Sequence, residues 1–225
     1  MRKLFFFFLF SIMITTAFAQ KNTMSKAEDS DPQATAILKK VQQKYEAFTS
    51  VGMDFSLIIK VPEMGEEVQS GKMLQKGENY RLEMKDQLIF SNGETIWLYL
   101  KNPINEVQIM NVEEGMEGML SPKDLLKIYE QKDFVYALTN RVKKNGKWVQ
   151  QIEFKPLKED VDYSKLRVSI ENQTNEVVQI EAFGKDGTRY TLVVNELTPN
   201  VSIADASFQF NKADYPDVYV EDLRY

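Results

Sequence analysis

Alternation of apolar and polar residues is the feature that most restricts what this chain can fold into. From Val51 to Val61 every odd-numbered residue is apolar, which is the period of a strand with one buried face. Ten further strand-like segments follow in meander spacing, and turn pairs such as Asn92-Gly93, which favours a type I′ hairpin, separate them. The predicted strands cover residues 51–61, 67–74, 80–84, 88–91, 95–100, 106–110, 134–142, 148–154, 166–170, 177–183 and 188–195.

Two amphipathic helices are predicted beside these strands. Asp31 can cap a helix that begins at Pro32, because proline lacks the amide that the first turn leaves unpaired anyway. Its apolar stripe consists of Ala34, Ile37, Leu38, Val41, Tyr45 and Phe48. A second, short helix is predicted after Ser121-Pro122, behind a glycine-rich loop. Its apolar residues are Leu125, Leu126, Ile128 and Tyr129, and the loop carries Met116 and Met119.

Together these elements predict an α+β fold, with a large curved antiparallel sheet of about eleven strands and helices that cover its concave apolar face. A curled sheet of this width needs side chains, helices or a ligand to fill that face. The acidic tail is predicted to be a solvated edge or a terminal strand, and a docking surface for a basic partner is the alternative. The tail carries Asp214, Asp217, Glu221 and Asp222.

The first nineteen residues have the pattern of a cleavable secretory signal. Arg2 and Lys3 precede an apolar run from Leu4 to Ile14, and Ala17-Phe18-Ala19 follows. The run is too short for a permanent membrane span, and the chain has no cysteine that a lipid anchor would require. We therefore expect a signal peptide over 1–19 and one soluble, exported domain over 20–225, whose formal net charge is −7 instead of −5.

The complete absence of histidine and cysteine removes most catalytic chemistry. Thiol nucleophiles, serine–histidine couples and the commonest zinc and copper ligands cannot form. Net acidity without concentrated Lys and Arg argues against a nucleic-acid partner. Carboxylates at Glu159, Asp160 and Asp162 are possible calcium ligands, but a solvated acidic loop is the favoured interpretation. We predict neither an enzyme nor a bound cofactor or metal.

Three passages carry a family resemblance. They are residues 71–76 with 80–84, residues 88–99, and Phe208-Gln209-Phe210. The middle passage is the most specific, with an apolar run, Ser91-Asn92-Gly93, a polar residue, Thr95, an aliphatic residue, Trp97 and then Tyr99. These passages resemble the LolA family, the periplasmic carriers of outer-membrane lipoproteins, and the likeness follows nearly the whole chain after residue 19.

The resemblance implies an eleven-stranded half-barrel whose helices close an apolar cavity. It implies a monomeric periplasmic carrier that binds the acyl chains of lipoproteins and shuttles them from the inner to the outer membrane. The implied partners are an inner-membrane ABC transporter of the Lol type as donor and an outer-membrane acceptor. The alternative is a lipid- or lipoprotein-sensing interaction domain of the RseB type, which shares the half-barrel but has a second domain that this chain can hardly accommodate.

Two positions depart from the family pattern. Asn92 stands where aspartate is usual before the turn glycine, and Gly77 stands roughly where the best-known members carry an arginine that helps to hold the lid closed. Either another residue, such as Arg81, latches the lid, or the chain belongs to a divergent branch with another lipid cargo. The chain also lacks the disulfide found in some relatives, because it has no cysteine.

Candidate cavity residues follow from the alternation. Tyr80, Leu82 and Met84 face inward if Arg81 and Glu83 reach water, whereas residues 95–100 are apolar on both faces. The predicted acyl-cavity residues are Phe55, Leu57, Tyr80, Leu82, Met84, Leu88, Phe90, Trp97, Tyr99 and Met110. The predicted lid residues are Ile37, Leu38, Val41, Tyr45, Met116, Met119, Leu125, Leu126 and Tyr129. Plain core packing is the alternative at each position.

A lid is predicted because the release of a bound acyl chain is harder to achieve than its capture. Burial of about fourteen methylenes of one acyl chain contributes on the order of 11 kcal/mol before ordering costs. Helices that compete for the same concave surface must be displaced by the ligand, and they therefore lower its net affinity.

Overall fold

The computed structural model describes residues 25–112, 132–144 and 146–224. Within them the chain forms one α-helix, α1 (Pro32–Glu46), three short 3₁₀ helices and one sheet of twelve strands. The strands are β1 (Val51–Val61), β2 (Gly65–Lys76), β3 (Asn79–Met84), β4 (Gln87–Ser91), β5 (Thr95–Leu100), β6 (Glu106–Asn111), β7 (Phe134–Lys144), β8 (Lys147–Pro156), β9 (Tyr163–Glu171), β10 (Val177–Gly184), β11 (Arg189–Pro199) and β12 (Tyr219–Asp222). The 3₁₀ helices are Ala27–Asp29, Asp205–Phe208 and Lys212–Asp214.

Several predicted features lie outside the described residues. They are the signal peptide over 1–19, the second helix with Leu125, Leu126 and Tyr129, and the loop methionines Met116 and Met119.

The sheet consists of two meanders that meet at β1. β1 pairs with β2 on one side and with β11 on the other. The order runs outward through β3, β4, β5 and β6 in one direction and through β10, β9, β8 and β7 in the other. The predicted α+β fold with a large curved antiparallel sheet is confirmed. The described sheet has one strand more than the eleven that the pattern indicated, because β12 in the acidic tail adds to β6 in parallel.

The register divides the sheet into two faces, because residues paired across neighbouring strands lie on the same face. Leu192 of β11 pairs with Leu57 of β1 and with Ile180 of β10. Ile180 packs against the core that contains α1. We call this side of the sheet the helix-side face and the opposite side the outer face.

The helix α1 packs over β7 to β10 on the helix-side face. Its N-cap, Asp31, accepts a hydrogen bond from the Gln33 amide at 2.8 Å, as the sequence predicts, and a second one from the Leu138 amide of β7 at 3.1 Å. The Asp31 amide also donates to the Tyr136 carbonyl at 2.9 Å. The buried residues of α1 are Ala34, Leu38 and Val41. The start of the helix is therefore fixed to the edge strand β7.

A second apolar layer covers part of the outer face. The chain after β11 returns to β4 and β5, where the ring centroid of Phe210 lies 6.1 Å from that of Phe90. The rings of Tyr215 and Tyr99 lie 4.9 Å apart. Phe208 is completely buried in this region. Both faces of β4 and β5 consequently carry apolar side chains.

The turn after β4 differs from the predicted type I′ hairpin. Gly93 has a φ of +88°, but Asn92 does not have a positive φ. Instead, the Asn92 Oδ1 atom accepts hydrogen bonds from the amides of Glu94 and Thr95, at 3.1 and 2.8 Å. An aspartate oxygen accepts the same bonds, so the departure from the family pattern at Asn92 leaves the turn intact.

We expect Asp31→Ala to lower the free energy of unfolding by about 2 kcal/mol, because the change removes the cap of α1 and the partner of the Leu138 amide. Asp31→Asn keeps a side-chain acceptor and is expected to lose less than half as much. Urea denaturation followed by circular dichroism measures both variants. Equal losses would contradict the capping role of the side chain.

Candidate functional site

An apolar surface occupies the helix-side face at the centre of the sheet. Its buried side chains are Met53, Phe55, Met73 and Met84, each 9% exposed or less. Leu57, Leu82, Leu192 and Val194 are partly buried and pack against them. We call these eight residues the central apolar surface.

Strand register explains why these side chains meet. They form two rows across β1, β2 and β3, one of Met53, Met73 and Leu82 and the other of Phe55, Gly71 and Met84. The intervening residues Asp54, Lys72 and Glu83 lie on the outer face. There the Lys72 Nζ atom lies 3.4 Å from the Asp54 carboxylate. Alternation thus gives these three strands one apolar and one charged face.

Methionine is the characteristic residue of the helix-side face. Of the five methionines in the described residues, Met53, Met73, Met84 and Met110 lie on this face, as the register through β4 and β5 shows. Met64 lies at the β1–β2 turn and is 84% exposed. The thioether side chain is flexible and polarizable, so a surface rich in methionine adapts to apolar partners of varied shape.

One position of this surface is rigid. A Cβ atom at Gly71 would lie 2.2 Å from the Phe55 Cζ atom, which is far closer than any real contact. The ring of Phe55 therefore fills the space above Gly71. Only glycine permits this approach of ring and strand.

A cavity of about 80 Å³ lies between the central apolar surface and the end of α1. Met53, Met73 and Leu192 line one side, and Ile180 and Tyr45 line the other. The Gln75 amide and the Tyr45 hydroxyl are the polar side-chain groups of this lining. An apolar cavity of about 150 Å³ holds one benzene molecule. The cavity must therefore enlarge before it admits an acyl chain.

Two wider depressions, of about 460 and 540 Å³, lie on the outer face. Both are open and include charged side chains such as Lys72, Glu83 and Glu196 in their lining. Charged groups at such a surface keep their hydration only if no apolar ligand covers them. The small cavity beside α1 is therefore the better candidate site for an apolar ligand.

Tyr45 and Lys44 connect the end of α1 to the strands beneath it. The Tyr45 hydroxyl accepts a hydrogen bond from the Val177 amide at 3.2 Å. The Lys44 ammonium donates to the Thr174 carbonyl at 2.9 Å and to the Glu176 carboxylate at 2.7 Å. Burial raises the pKa of Tyr45 to about 12, because the phenolate is poorly solvated there. The helix is thus held at both ends.

The structure brings together six of the ten predicted cavity residues on the helix-side face. These are Phe55, Leu57, Tyr80, Leu82, Met84 and Met110. The predicted placement is wrong for the other four, Leu88, Phe90, Trp97 and Tyr99. Phe90 pairs with Arg81 and Trp97, and Leu88 pairs with Glu83 and Tyr99, all on the outer face.

The error has a physical reason. Strands β4 and β5 are apolar on both faces, so alternation alone cannot distinguish them. Ile89, Ile96 and Leu98 occupy the helix-side face, while the C-terminal layer covers the outer one. Met53, Met73, Leu192 and Val194 also belong to the central apolar surface and were not predicted from the sequence. Met53 shares the odd-numbered alternation with Phe55, which was sufficient to find it.

The predicted lid residues of α1 have two different environments. Leu38 and Val41 are buried in the core with β7 to β10, and Ile37 packs against that core. Tyr45 packs against it too, and it also lines the cavity. Displacement of α1 by a ligand stays a prediction.

Arg81 does not hold α1, because it lies on the face of the sheet opposite to the helix. Its guanidinium lies on the outer face, 5.3 Å from the ring centroid of Phe90. Gly77 has a φ of +61° in the β2–β3 turn, and no atom lies within 4 Å of a Cβ placed there. Neither position latches α1, so a latch at another residue and a divergent branch both stay open as predictions.

In residues 25–112, 132–144 and 146–224, no group of three or more acidic, histidine or cysteine side chains is placed to hold a metal ion. Within the same ranges, no helix is long and apolar enough to cross a membrane.

We expect Gly71→Ala to lower the free energy of unfolding by about 1–3 kcal/mol, because the new methyl group displaces the Phe55 ring. Gly52→Ala is the matched control, since a Cβ there would lie 3.7 Å from its nearest neighbours. Phe55→Leu in the Gly71→Ala background is expected to recover part of the loss. Chemical denaturation measures all three variants, and equal effects at Gly71 and Gly52 would refute the contact.

The raised pKa of Tyr45 makes stability dependent on pH. The ordinary pKa is 10.0 and the folded value is about 12, so the unfolded chain loses this proton first. The contribution of Tyr45 is complete below pH 10 and disappears as the pH rises to 12. We expect the free energy of unfolding of the wild type to fall more steeply over this interval than that of Tyr45→Phe. Parallel pH profiles would show that Tyr45 titrates normally.

Comparison with known proteins identifies the fold and the family. An uncharacterized protein of Methanocaldococcus jannaschii is 29% identical over 89 residues, which are 40% of this chain and 26% of that protein. The chain thus spans about a quarter of the length of this relative. An uncharacterized conserved protein from Thermus thermophilus has a similar structure, with a TM-score of 0.57 and 12% identity over 84% of this chain and 99% of that one.

A LolA superfamily protein from Nitrosomonas europaea matches 79% of this chain and 97% of its own, with a TM-score of 0.42 and 13% identity. The family model described as outer membrane lipoprotein carrier protein LolA matches residues 59–211. This match covers more than half of the 225 residues and includes most of the central apolar surface. The chain belongs to the LolA family.

Proposed function

We propose that this protein binds the acyl chains of lipoproteins at the central apolar surface and carries them through the periplasm from the inner to the outer membrane. The observation that carries the proposal is the cavity beside Tyr45, which adjoins a methionine-rich apolar face in a member of the LolA family. The carrier binds its cargo without chemical conversion, and no cofactor takes part.

The chemistry of the surface fits hydrocarbon better than a polar ligand. Its eight residues offer aliphatic, thioether and phenyl groups and no charge. Van der Waals contact and loss of water are therefore its means of binding. Three of its four buried side chains are methionines, which can follow acyl chains of different length and position.

The small size of the cavity supports reversible binding. A chain with about fourteen buried methylenes contributes on the order of 11 kcal/mol, which is enough to make release slow. Enlargement of an 80 Å³ cavity breaks existing apolar contacts and subtracts from that sum. The protein therefore holds its cargo less tightly than a preformed pocket would.

The family supports the wider setting of the proposal. After removal of residues 1–19 the carrier works in the periplasm as a monomer. A Lol-type ABC transporter of the inner membrane loads it, and an outer-membrane acceptor unloads it. An RseB-type sensing domain remains the alternative, because a sensor would use the same apolar face to detect lipid and would then bind a protein partner.

We expect Met73→Gln to weaken binding of a fluorescent fatty-acid probe about tenfold, because an amide in the apolar lining must lose water without a partner. Leu74→Gln is the matched control, since Leu74 is the next residue of β2 and lies on the outer face. Fluorescence titration measures both, and urea denaturation confirms that both variants are folded. Equal probe affinities of the two variants would show that the central apolar surface is not the binding site.

Recovery of bound lipid distinguishes carriage from sensing. The protein is purified from the periplasm, extracted with organic solvent and analysed by mass spectrometry. A stoichiometric lipoprotein or acyl lipid is expected for a carrier, and Met73→Gln should carry less of it than Leu74→Gln. An empty protein that co-purifies with one specific protein partner would instead support the sensing alternative.

A further inference from the structure

The β7–β8 hairpin is a basic segment in an acidic chain. Between Asp133 and Glu153 the sequence contains four cationic residues and no acidic one, although the formal net charge of the chain is −5. The four are Arg141, Lys143, Lys144 and Lys147. A local excess of this kind creates a positive potential at the hairpin.

The register separates these cations onto two faces. Lys143 pairs with Trp148, and Arg141 pairs with Gln150. Gln150 in turn pairs with Ile170, which is buried in the core beneath α1. Arg141, Lys143 and Trp148 therefore project from the helix-side face, the same face that carries the cavity.

The two remaining cations lie on the outer face and have partners. The Lys144 ammonium donates to the Gln179 side chain at 2.9 Å. The Lys147 ammonium lies 2.9 Å from the carboxylate of Glu171. Their charges are already used in holding the hairpin to the neighbouring strands.

The helix-side group of the hairpin is exposed. Trp148 is 57% exposed, which is unusual for the largest apolar side chain. Arg141 and Lys143 are exposed, and neither forms an ion pair within the described parts of the chain. We call Arg141, Lys143 and Trp148 the hairpin patch.

We propose that the hairpin patch docks the protein on an anionic phospholipid bilayer. The two cations attract the phosphates of the headgroups, and the indole ring settles at the boundary between headgroups and acyl chains, where its ring is apolar and its N–H stays hydrated. Because the patch shares the face of the cavity, docking turns that face towards the membrane. This inference rests on the proposed carriage of acyl chains, which must leave one bilayer and reach another.

Charge makes this attachment oriented and reversible. The net acidity of the rest of the chain is repelled by an anionic bilayer, which favours approach by the basic hairpin corner. Lysines on an edge strand also discourage aggregation, and β7 is an edge strand. That role accounts for the cations but not for the exposed indole beside them.

Tryptophan fluorescence provides a direct test, because Trp148 and Trp97 are the two tryptophans of the chain. Trp97→Phe leaves Trp148 as the single emitter. We expect its emission to shift to shorter wavelength with vesicles of phosphatidylcholine containing phosphatidylglycerol, and not with phosphatidylcholine alone. High salt should reverse the shift, because the attraction is screened. No shift with the anionic vesicles would overturn the inference.

Charge reversal tests the patch itself. Arg141→Glu with Lys143→Glu is expected to weaken sedimentation with anionic vesicles at least about tenfold. Lys132→Glu with Lys155→Glu is the matched control, because it changes net charge equally near the other end of the same hairpin, just before β7 and within β8. The control pair is expected to lose less than about threefold. If both double variants lost vesicle binding equally, binding would depend on net charge alone, and the hairpin patch would be rejected as the contact site.

The fatty-acid probe separates this inference from the proposed function. Retained probe affinity in the Arg141→Glu, Lys143→Glu variant, together with lost vesicle binding, supports the hairpin patch as a membrane contact distinct from the cavity. Failure of the wild type to bind the probe, with vesicle binding retained, would count against the proposed function and not against the patch. If the wild type bound polyglutamate but not anionic vesicles, the proposed membrane contact would be rejected, and an acidic protein would be the partner instead.

Discussion

The pairing of β1 with both β2 and β11 is the constraint on which the rest of this structure depends. It joins two meanders into one sheet, so that each face continues across all twelve described strands. A sheet of that width has more apolar surface than a fifteen-residue helix can cover. It is covered in parts instead, by α1 over β7 to β10 and by the chain after β11 over the outer side of β4 and β5. The central apolar surface lies where the core beneath α1 ends.

Local signals in the sequence were sufficient to predict the helix and the strands. They were not sufficient to predict which face of the sheet each side chain occupies. The cap at Asp31, the proline after it and the alternation of β1 each act within a few residues, so the helix and the strands could be predicted. The faces of β4 and β5 could not, because the layer that makes their outer side apolar comes from Phe208, Phe210 and Tyr215, more than a hundred residues later. The basic hairpin escaped notice because net charge averages over the chain, and only the register separates its paired from its unpaired cations.

Rigid and adaptable parts meet in the candidate site. Phe55 is fixed above Gly71 by a contact that leaves no space for a methyl group. Met53, Met73 and Met84 surround it and can change rotamer at little cost. A surface of this composition keeps its position in the sheet while its shape follows the ligand. Binding of varied acyl chains requires both properties, because a fully plastic surface would collapse when empty.

The attachment of α1 favours one direction of opening. Detachment of the whole helix would break the bonds of Asp31 to Leu138 and Tyr136 and expose Ala34, Leu38 and Val41, at several kcal/mol for the side-chain burial alone. Movement of the C-terminal end breaks the hydrogen bonds of Tyr45 and Lys44, each worth about 1 kcal/mol, and loses the packing of the single side chain of Tyr45 against the core. The cavity lies at that end. The less costly movement is therefore also the one that enlarges the space next to the central apolar surface.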